Sequence, residues 1–272
     1  MDYVHIADMP DGIRGRWKYS EKDWIEKYIL QVKSIVDEIY RKNKKLSCFF
    51  VESILGCGGQ IILPPNYLKE VFKIIKKRKA LLIVDEVQTG FGRVGNHFWG
   101  FEEHKIIPDI VTLGKPMGNG HPIAAVVTTK KIANKFNNGM EYFNSFGGNP
   151  VSCSIGNSVL DVIENEKLQK NAKVIGEYFL KSLNQVKLEF PKFISEVRGR
   201  GLFLGLDFIN IENNVPNAKL ATLIINEMRQ RGILLSTDGP YHNVIKIKPP
   251  LTFNKKNVDL VCFELKNILN NL

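Results

Sequence analysis

The spacing of apolar and polar residues in the first half of the chain predicts helices that alternate with buried strands. Helical spacing over 25–39 predicts a first helix, which we expect Ser20 to open because Asp23 follows three positions later. Continuous apolar runs predict strands buried on both faces, separated by helical stretches. The strand runs are 46–52, 80–86, 110–113 and 124–127, and a second helix is expected over 66–79. This order is typical of an α/β domain with a parallel sheet.

The pattern changes after Pro150, where two long helical stretches carry the chain to about Val186. An extended stretch over 194–209, a helix near 217–231, a strand over 244–247 and a terminal helix are expected to follow. The sequence therefore predicts a large domain over residues 1–165 and a smaller α+β domain over residues 166–272.

The composition is that of an ordinary globular protein, with 44% hydrophobic and 24% charged residues in 272. The formal net charge is +10, but the lysines are scattered, and the densest basic run, 73–79, is interpreted as the end of a helix. No aromatic residues interleave with this run to stack on bases, so nucleic-acid binding is not expected.

The cysteines and histidines do not have the spacing of a metal site or a disulfide framework. The four cysteines include no CxxC pair and the five histidines include no HxxxH pair. The first ten residues lack the basic start and apolar core of a signal peptide, and no apolar stretch has the length of a membrane span. We therefore expect a cytoplasmic protein without a metal or membrane partner.

Three polar residues follow apolar strands, at the points where those strands are expected to end. They are Glu52, Asp85 and Lys115. Ligands of open α/β sheets bind at this edge. An aspartate and a lysine that converge there could also form a structural ion pair, which is the commoner arrangement.

The segments around these residues favour the chemical interpretation. They read LIVDEVQTGFGR at 82–93, PDIVTLGKPMGNG at 108–120 and FNSFGGNP at 143–150. In this order they resemble the signature segments of class III aminotransferases. The resemblance continues through 198–202 and 245–251 to the final helix. It implies the fold type I architecture of pyridoxal-phosphate-dependent transferases, with a mostly parallel sheet in a truncated large domain and a C-terminal α+β small domain.

The resemblance assigns a role to each matching residue around a pyridoxal 5'-phosphate cofactor. Lys115 would hold the cofactor covalently and move the α proton of a small amine substrate. Asp85 would pair with the pyridine nitrogen, Gln88 would hydrogen-bond the ring oxygen, and Val87 would pack on a ring face, although it could equally be core. Ser145, where threonine is usual, would contact the cofactor phosphate of the neighbouring subunit, which implies a homodimer.

Two positions depart from many class III transaminases, which carry a glutamate and a carboxylate-binding arginine where this chain has Cys57 and Lys246. Lysine lacks the planar fork of arginine and suits a phosphate better than a carboxylate. This combination resembles the phospho-lyase branch that acts on ethanolamine phosphate or phosphohydroxylysine, and it makes Lys246 a candidate substrate residue. The alternative is an ordinary aminotransferase that transfers an amino group to a 2-oxo acid.

A larger departure is that the family's earlier glycine- and serine-rich loop, which cradles the cofactor phosphate, has no counterpart here. We therefore expect the chain to be part of a longer polypeptide or of a split enzyme that a missing N-terminal segment completes. The alternative is an inactive truncated remnant. A nucleotide-binding module is disfavoured because the chain has no GxxxxGK[ST] segment.

Overall fold

The structure, a computed structural model, describes residues 3–210 and 212–272. These residues form two compact units. Unit 1 contains the residues up to Ser53, Leu63–Gln88 and Gly100–Leu160, and unit 2 contains Ile54–Ile62, Thr89–Trp99 and Asp161–Leu272. Unit 2 thus combines the C-terminal part of the chain with two short segments, Ile54–Ile62 and Thr89–Trp99, that come earlier in the sequence.

The elements follow the order that the hydrophobic pattern predicts. The helices are α1 (Trp24–Arg41), α2 (Tyr67–Lys77), α3 (Lys130–Phe136), α4 (Pro150–Asn165), α5 (Leu168–Glu189), α6 (Ala218–Gln230) and α7 (Lys255–Asn270). The strands are β1 (Cys48–Glu52), β2 (Ile54–Leu55), β3 (Ile61–Ile62), β4 (Leu81–Asp85), β5 (Ile110–Leu113), β6 (Ala125–Thr128), β7 (Ile194–Arg200), β8 (Phe203–Phe208), β9 (Ser236–Asp238) and β10 (Val244–Ile247).

The sheet of unit 1 has the strand order β1-β4-β5-β6. β1, β4 and β5 are parallel, which confirms a mostly parallel sheet, whereas β6 pairs with β5 in antiparallel orientation. The expectation that 124–127 would extend the parallel arrangement was therefore wrong. The connection from β5 to β6 contains only a short 3-10 turn, Lys115–Met117, and a parallel crossover needs a longer connection.

The first helix begins later than the sequence suggests. α1 starts at Trp24, not at Ser20, because the preceding residues form turns in which the Glu21 carboxylate accepts a hydrogen bond from Lys18 N at 2.9 Å. Its buried stripe, Tyr28, Val32, Val36 and Ile39, keeps the expected helical spacing.

The basic run 73–79 ends α2, as expected. Two of its cations pair with carboxylates elsewhere in unit 1, because Arg78 Nη2 lies 2.8 Å from Asp37 Oδ1 and Lys76 Nζ lies 2.6 Å from Asp109 Oδ1.

Unit 2 is built on an antiparallel sheet with the order β7-β8-β10-β9. One face carries apolar residues that form the main core with α5, α6 and α7. This core includes Phe179, Leu183, Leu204, Leu206, Ile224, Ile245, Val258 and Leu265. The other face carries a cross-strand row of Arg198, Gly205 and Lys246, set by the register of β7, β8 and β10.

No helix among the described residues is both long and apolar enough to cross a bilayer. Within the same residues, no group of three or more histidine, cysteine, aspartate or glutamate side chains is arranged to hold a metal ion. The four cysteines are free thiols.

Candidate active site

The candidate site of unit 1 begins with a row of residues at the carboxyl ends of three parallel strands. Glu52 on β1 lies opposite Asp85 on β4, and Asp85 lies opposite Thr112 on β5. Lys115 follows Thr112 by three residues, immediately after β5 ends and Gly114 turns the chain. The structure therefore brings Asp85 and Lys115 to the same sheet edge, as the sequence predicted.

Lys115 has a strained backbone and an exposed side chain. Its φ is +24°, which residues other than glycine rarely adopt and which costs on the order of 1–3 kcal/mol. It forms no ion pair with any residue that the structure describes, and Asp85 forms none either. The structural ion pair considered for these two residues is therefore not formed.

Asp85 is fixed by its own turn and leaves one carboxylate oxygen available. Its Oδ1 accepts a hydrogen bond from Val87 N at 2.8 Å, and the side chain is partly buried. Val87 packs beside Gly114, because a Cβ added there would lie 3.5 Å from both Val87 methyl groups. These contacts join the Asp85 turn to the residue that precedes Lys115.

Gln88 lies over the end of β1. It is buried, and its Nε2 approaches Glu52 Oε1 at 3.4 Å, which is long for a hydrogen bond. Its position extends the row of polar groups that Glu52 and Asp85 begin.

Ser145 lies in an exposed irregular segment between α3 and α4. The adjacent Asn144 Oδ1 accepts hydrogen bonds from Phe146 N at 3.1 Å and Gly147 N at 2.8 Å. These two backbone amides of the turn therefore already have an acceptor.

The start of α4 connects this segment to the turn that contains Lys115. Asn149 Oδ1 accepts a hydrogen bond from Ser152 N at 2.9 Å, which caps the helix, and Ser152 Oγ lies 2.8 Å from His121 Nε2. His121 ends the glycine turn that follows Lys115. The segments of Lys115 and Ser145 are thus held together through α4.

Glu86 is a residue of this region that the sequence reasoning missed. Its buried carboxylate accepts hydrogen bonds from Ser53 Oγ, from Gly100 N at 2.9 Å and from Phe101 N at 2.8 Å. Side chains alternate across a strand, so a ligand-facing Asp85 implies that the next residue points to the opposite side. That alternation was the signal that could have identified Glu86 as a structural carboxylate.

The residues at the sheet edge fit the ring and aldehyde end of pyridoxal phosphate. Lys115 offers an exposed amine, and Asp85 offers a carboxylate oxygen without a partner among the described residues. Thr112 Oγ1 is buried and has no hydrogen-bond partner there either, which leaves an unsatisfied polar atom in the same row. The phosphate end is less complete, because the resemblance assigns the Ser145 hydroxyl to the cofactor of a neighbouring subunit.

Lys246, the predicted substrate residue, lies in unit 2 and is paired with a carboxylate that the sequence reasoning did not identify. Its Nζ lies 2.8 Å from Asp238 Oδ2, which also accepts a hydrogen bond from Gln60 Nε2 at 2.9 Å. Cys57 is exposed in the turn that precedes Gln60.

Arg198 is held by contacts within unit 2. It is buried, and its Nε donates a hydrogen bond to Gly59 O at 2.8 Å. Its guanidinium also pairs with Glu196 and, at 3.5 Å, with Asp207 Oδ2.

Comparison with known proteins gives the same family as the motifs. The family model described as "Aminotransferase class-III" matches residues 3–269. A Drosophila melanogaster protein, "Alanine--glyoxylate aminotransferase 2-like", is 45% identical over 264 residues, which are 95% of this chain and 53% of the relative. A Caenorhabditis elegans protein, "Ethanolamine-phosphate phospho-lyase homolog 1", is 39% identical over 270 residues, which are 94% of this chain and 58% of the relative.

Among solved structures, an Arthrobacter phospholyase in complex with phosphoethanolamine matches with a TM-score of 0.90 and 36% identity. The match covers 93% of this chain and 61% of the Arthrobacter chain. This likeness confirms the fold that the motifs implied. The chain spans about half the length of the curated relatives described above.

Proposed function

Because this chain belongs to the class III aminotransferase family, we propose that it acts, alone or as part of a larger enzyme, on a small primary amine with pyridoxal phosphate as cofactor. Members of this family are pyridoxal-phosphate dependent. The observation that carries the proposal is Lys115, an exposed and strained lysine beside Asp85 at the ligand-binding edge of a mostly parallel sheet.

Each residue of the sheet edge has a distinct task in this proposal. When bound, pyridoxal phosphate supplies an electron sink for the electron pair that remains after loss of the substrate's α proton. Lys115 Nζ would hold the cofactor and, once the substrate amine has displaced it, would take that proton. The Asp85 carboxylate would hold a proton on the pyridine nitrogen, while Gln88 would donate to the ring oxygen and Val87 would cover a ring face. Ser145 would donate to the cofactor phosphate of a neighbouring subunit.

We propose elimination of phosphate from an amino-alcohol phosphate such as ethanolamine phosphate as the leading reaction. Lys115 Nζ takes the α proton, the bond between the neighbouring carbon and the phosphate oxygen breaks, and the phosphate leaves with the bonding electrons. Water then converts the remaining unsaturated amine into an aldehyde and ammonia. Support comes from Lys246 and Cys57 in place of the arginine and glutamate, and from likeness to the two phospho-lyase relatives.

Ordinary transamination is the second candidate, and one observation favours it. The Drosophila relative, whose name describes an aminotransferase, is 45% identical to this chain. The two reactions differ in product, because elimination releases inorganic phosphate whereas transamination delivers the amino group to a 2-oxo acid. An inactive remnant would do neither.

The visible absorption spectrum of the purified chain with added pyridoxal phosphate tests the proposal. We expect a band that Lys115→Ala abolishes and that Lys131→Ala, which removes an exposed lysine on α3, leaves unchanged. Asp85→Asn should keep the band but slow the release of phosphate from ethanolamine phosphate by about 100-fold. A folded chain without a Lys115-dependent band would contradict independent cofactor binding and favour a fragment or a remnant.

The partners and location follow from the same proposal. We propose a homodimer, because Ser145 is assigned to the cofactor of a neighbouring subunit, or a complex with a separate chain. A cytoplasmic location stays a prediction, which a fluorescent fusion can check.

A further inference from the structure

The polar face of the unit 2 sheet places a carboxylate directly against Lys246. Lys246 on β10 and Asp238 on β9 are diagonal neighbours on antiparallel strands, and Nζ lies 2.8 Å from Asp238 Oδ2. Their side chains are only 22% and 15% exposed, so water screens the pair less than it would at the surface. The positive charge of Lys246 is therefore already balanced within the chain.

Gln60 also binds this carboxylate, at the same oxygen as Lys246. Its Nε2 donates to Asp238 Oδ2 at 2.9 Å and to Gly56 O at 2.9 Å, so both amide hydrogens are used. The reversed amide would point Oε1 at two acceptors, and the orientation is thus determined by its surroundings.

Two features show that Gln60 is held in place at a free-energy cost. The side chain is fully buried with its Oε1 unsatisfied, and its backbone has φ +56°. Unsatisfied buried acceptors and left-handed backbone at residues other than glycine each destabilise the folded state. Such costs concentrate at functional positions, and the contact that this arrangement secures is the one to Asp238.

Arg198, the neighbouring cation of the same cross-strand row, does not replace Lys246 as the partner of Asp238. Arg198 is already paired with Glu196 and Asp207. An anion that approaches Lys246 therefore meets the negative charge of Asp238 at the same ammonium group, because Arg198 is paired with its own two carboxylates.

We propose that Asp238 is a specificity-determining residue that occupies Lys246 as an internal anion, so that a ligand phosphate binds Lys246 only by exchanging with it. A ligand carboxylate carries the same charge as Asp238 and gains nothing by the exchange. A phosphomonoester carries about −1.5 to −2 charges at neutral pH and competes better. The pair thus selects phosphorylated amines over amino acids, an inference that rests on the proposed phospho-lyase function.

Binding to the cofactor-free chain tests this proposal without a catalytic readout. Phosphorus NMR measures the affinity of ethanolamine phosphate, and calorimetry measures that of β-alanine, which carries a carboxylate in place of the phosphate. Asp238→Asn should bind ethanolamine phosphate roughly three- to tenfold more tightly than the unmodified chain and should discriminate less against β-alanine. The additional change Lys246→Ala should abolish the gain.

Two further variants separate the proposal from simpler explanations. Asp161→Asn alters the net charge equally at an exposed position of unit 2 and should leave affinity unchanged. Gln60→Leu releases the Asp238 carboxylate without removing it and should raise the affinity in the same direction, which keeps the proposal testable if Asp238→Asn does not fold.

Unchanged affinity in both Asp238→Asn and Gln60→Leu would overturn the proposal. The ion pair of Lys246 and Asp238 would then only stabilise the pairing of β9 with β10. The proposed reaction is assayed separately, as release of phosphate that depends on Lys115. Phosphate release with unchanged binding in these variants would reject the Asp238 proposal alone. Tighter binding without phosphate release would support it and reject the phospho-lyase reaction.

Discussion

Asp85 and Glu86 are consecutive carboxylates with different surroundings, because successive side chains along a strand point to opposite faces. Asp85 is partly buried at the sheet edge with one oxygen held by Val87 N. Glu86 is buried and accepts hydrogen bonds from Ser53, Gly100 and Phe101. The first is therefore available for ligand chemistry, whereas the second fixes the segment that follows the site.

We predict that Glu86→Ala destabilises unit 1 by about 2–4 kcal/mol, because the Ser53 hydroxyl and the Gly100 and Phe101 amides lose their acceptor. Urea unfolding followed by fluorescence measures this, since Trp17 and Trp24 lie in unit 1. Glu26→Ala, the same change at an exposed position of α1, should stay within about 0.5 kcal/mol of the unmodified chain. Equal unfolding curves for the two variants would contradict the structural role of Glu86.

The positions of the candidate residues could be predicted where those residues follow buried strands. The side chains that contact them could not be predicted. Asp85 and Lys115 follow apolar runs whose ends must share an edge in a parallel sheet. Asp238 meets Lys246 through the register of β9 and β10, and Gln60 meets Asp238 through the placement of the 54–62 hairpin in unit 2. No local sequence pattern determines such contacts.

At the scale of elements, periodicity located most of the helices and strands, but it did not predict α3, β2, β3 or β9, and it gave β7 and β8 as one extended stretch. The other differences are in how strands connect or pair. The strand 110–113 was predicted with the bounds that β5 has, because its apolar run is short and flanked by polar turns. The antiparallel pairing of β6 follows from the short connection before it. The assignment of 54–62 and 89–99 to unit 2 depends on tertiary contacts and has no signal in their composition.

The packing of α7 predicts unequal reactivity among the cysteines. Cys262 is 7% exposed in the core of unit 2, and burial raises the pKa of its thiol to about 12. At pH 8 roughly one part in ten thousand would be thiolate. With Ellman's reagent we expect the exposed Cys57 and Cys153 to react rapidly, and Cys262 to react only as the chain unfolds.

The serine variants of Cys57 and Cys153 identify which thiols react fast. Rapid reaction of Cys262 in the folded chain would show that α7 is not packed as described. The raised pKa of the Cys262 thiol also makes the free energy of unfolding depend on pH. An unfolded cysteine ionises near pH 8.5, so the stability contributed by neutral Cys262 is lost as the pH rises from there towards 12.

At the scale of the whole molecule, unit 1 exposes several large apolar side chains in one segment. Between α3 and the start of α4 lie side chains that are each at least 65% exposed. They are Phe136, Met140, Tyr142, Phe143, Phe146 and Val151. Contiguous apolar surface of this kind marks contact sites with other chains. Because Ser145 lies within this segment, the same contact would bring its hydroxyl to a neighbouring subunit.

We therefore predict that the purified chain self-associates with increasing concentration, and that the double variant Phe143→Ser/Phe146→Ser weakens the association by at least about tenfold. Each change removes an aromatic side chain from the contact but leaves the Asn144 turn intact, because that turn uses the backbone amides of residues 146 and 147. Sedimentation velocity over a range of concentrations measures the effect. Leu234→Ser, which removes an equally exposed side chain from a loop of unit 2, should have none. A chain that stays monomeric throughout would leave the homodimer without support from this surface and would favour a separate polypeptide as the partner that covers it.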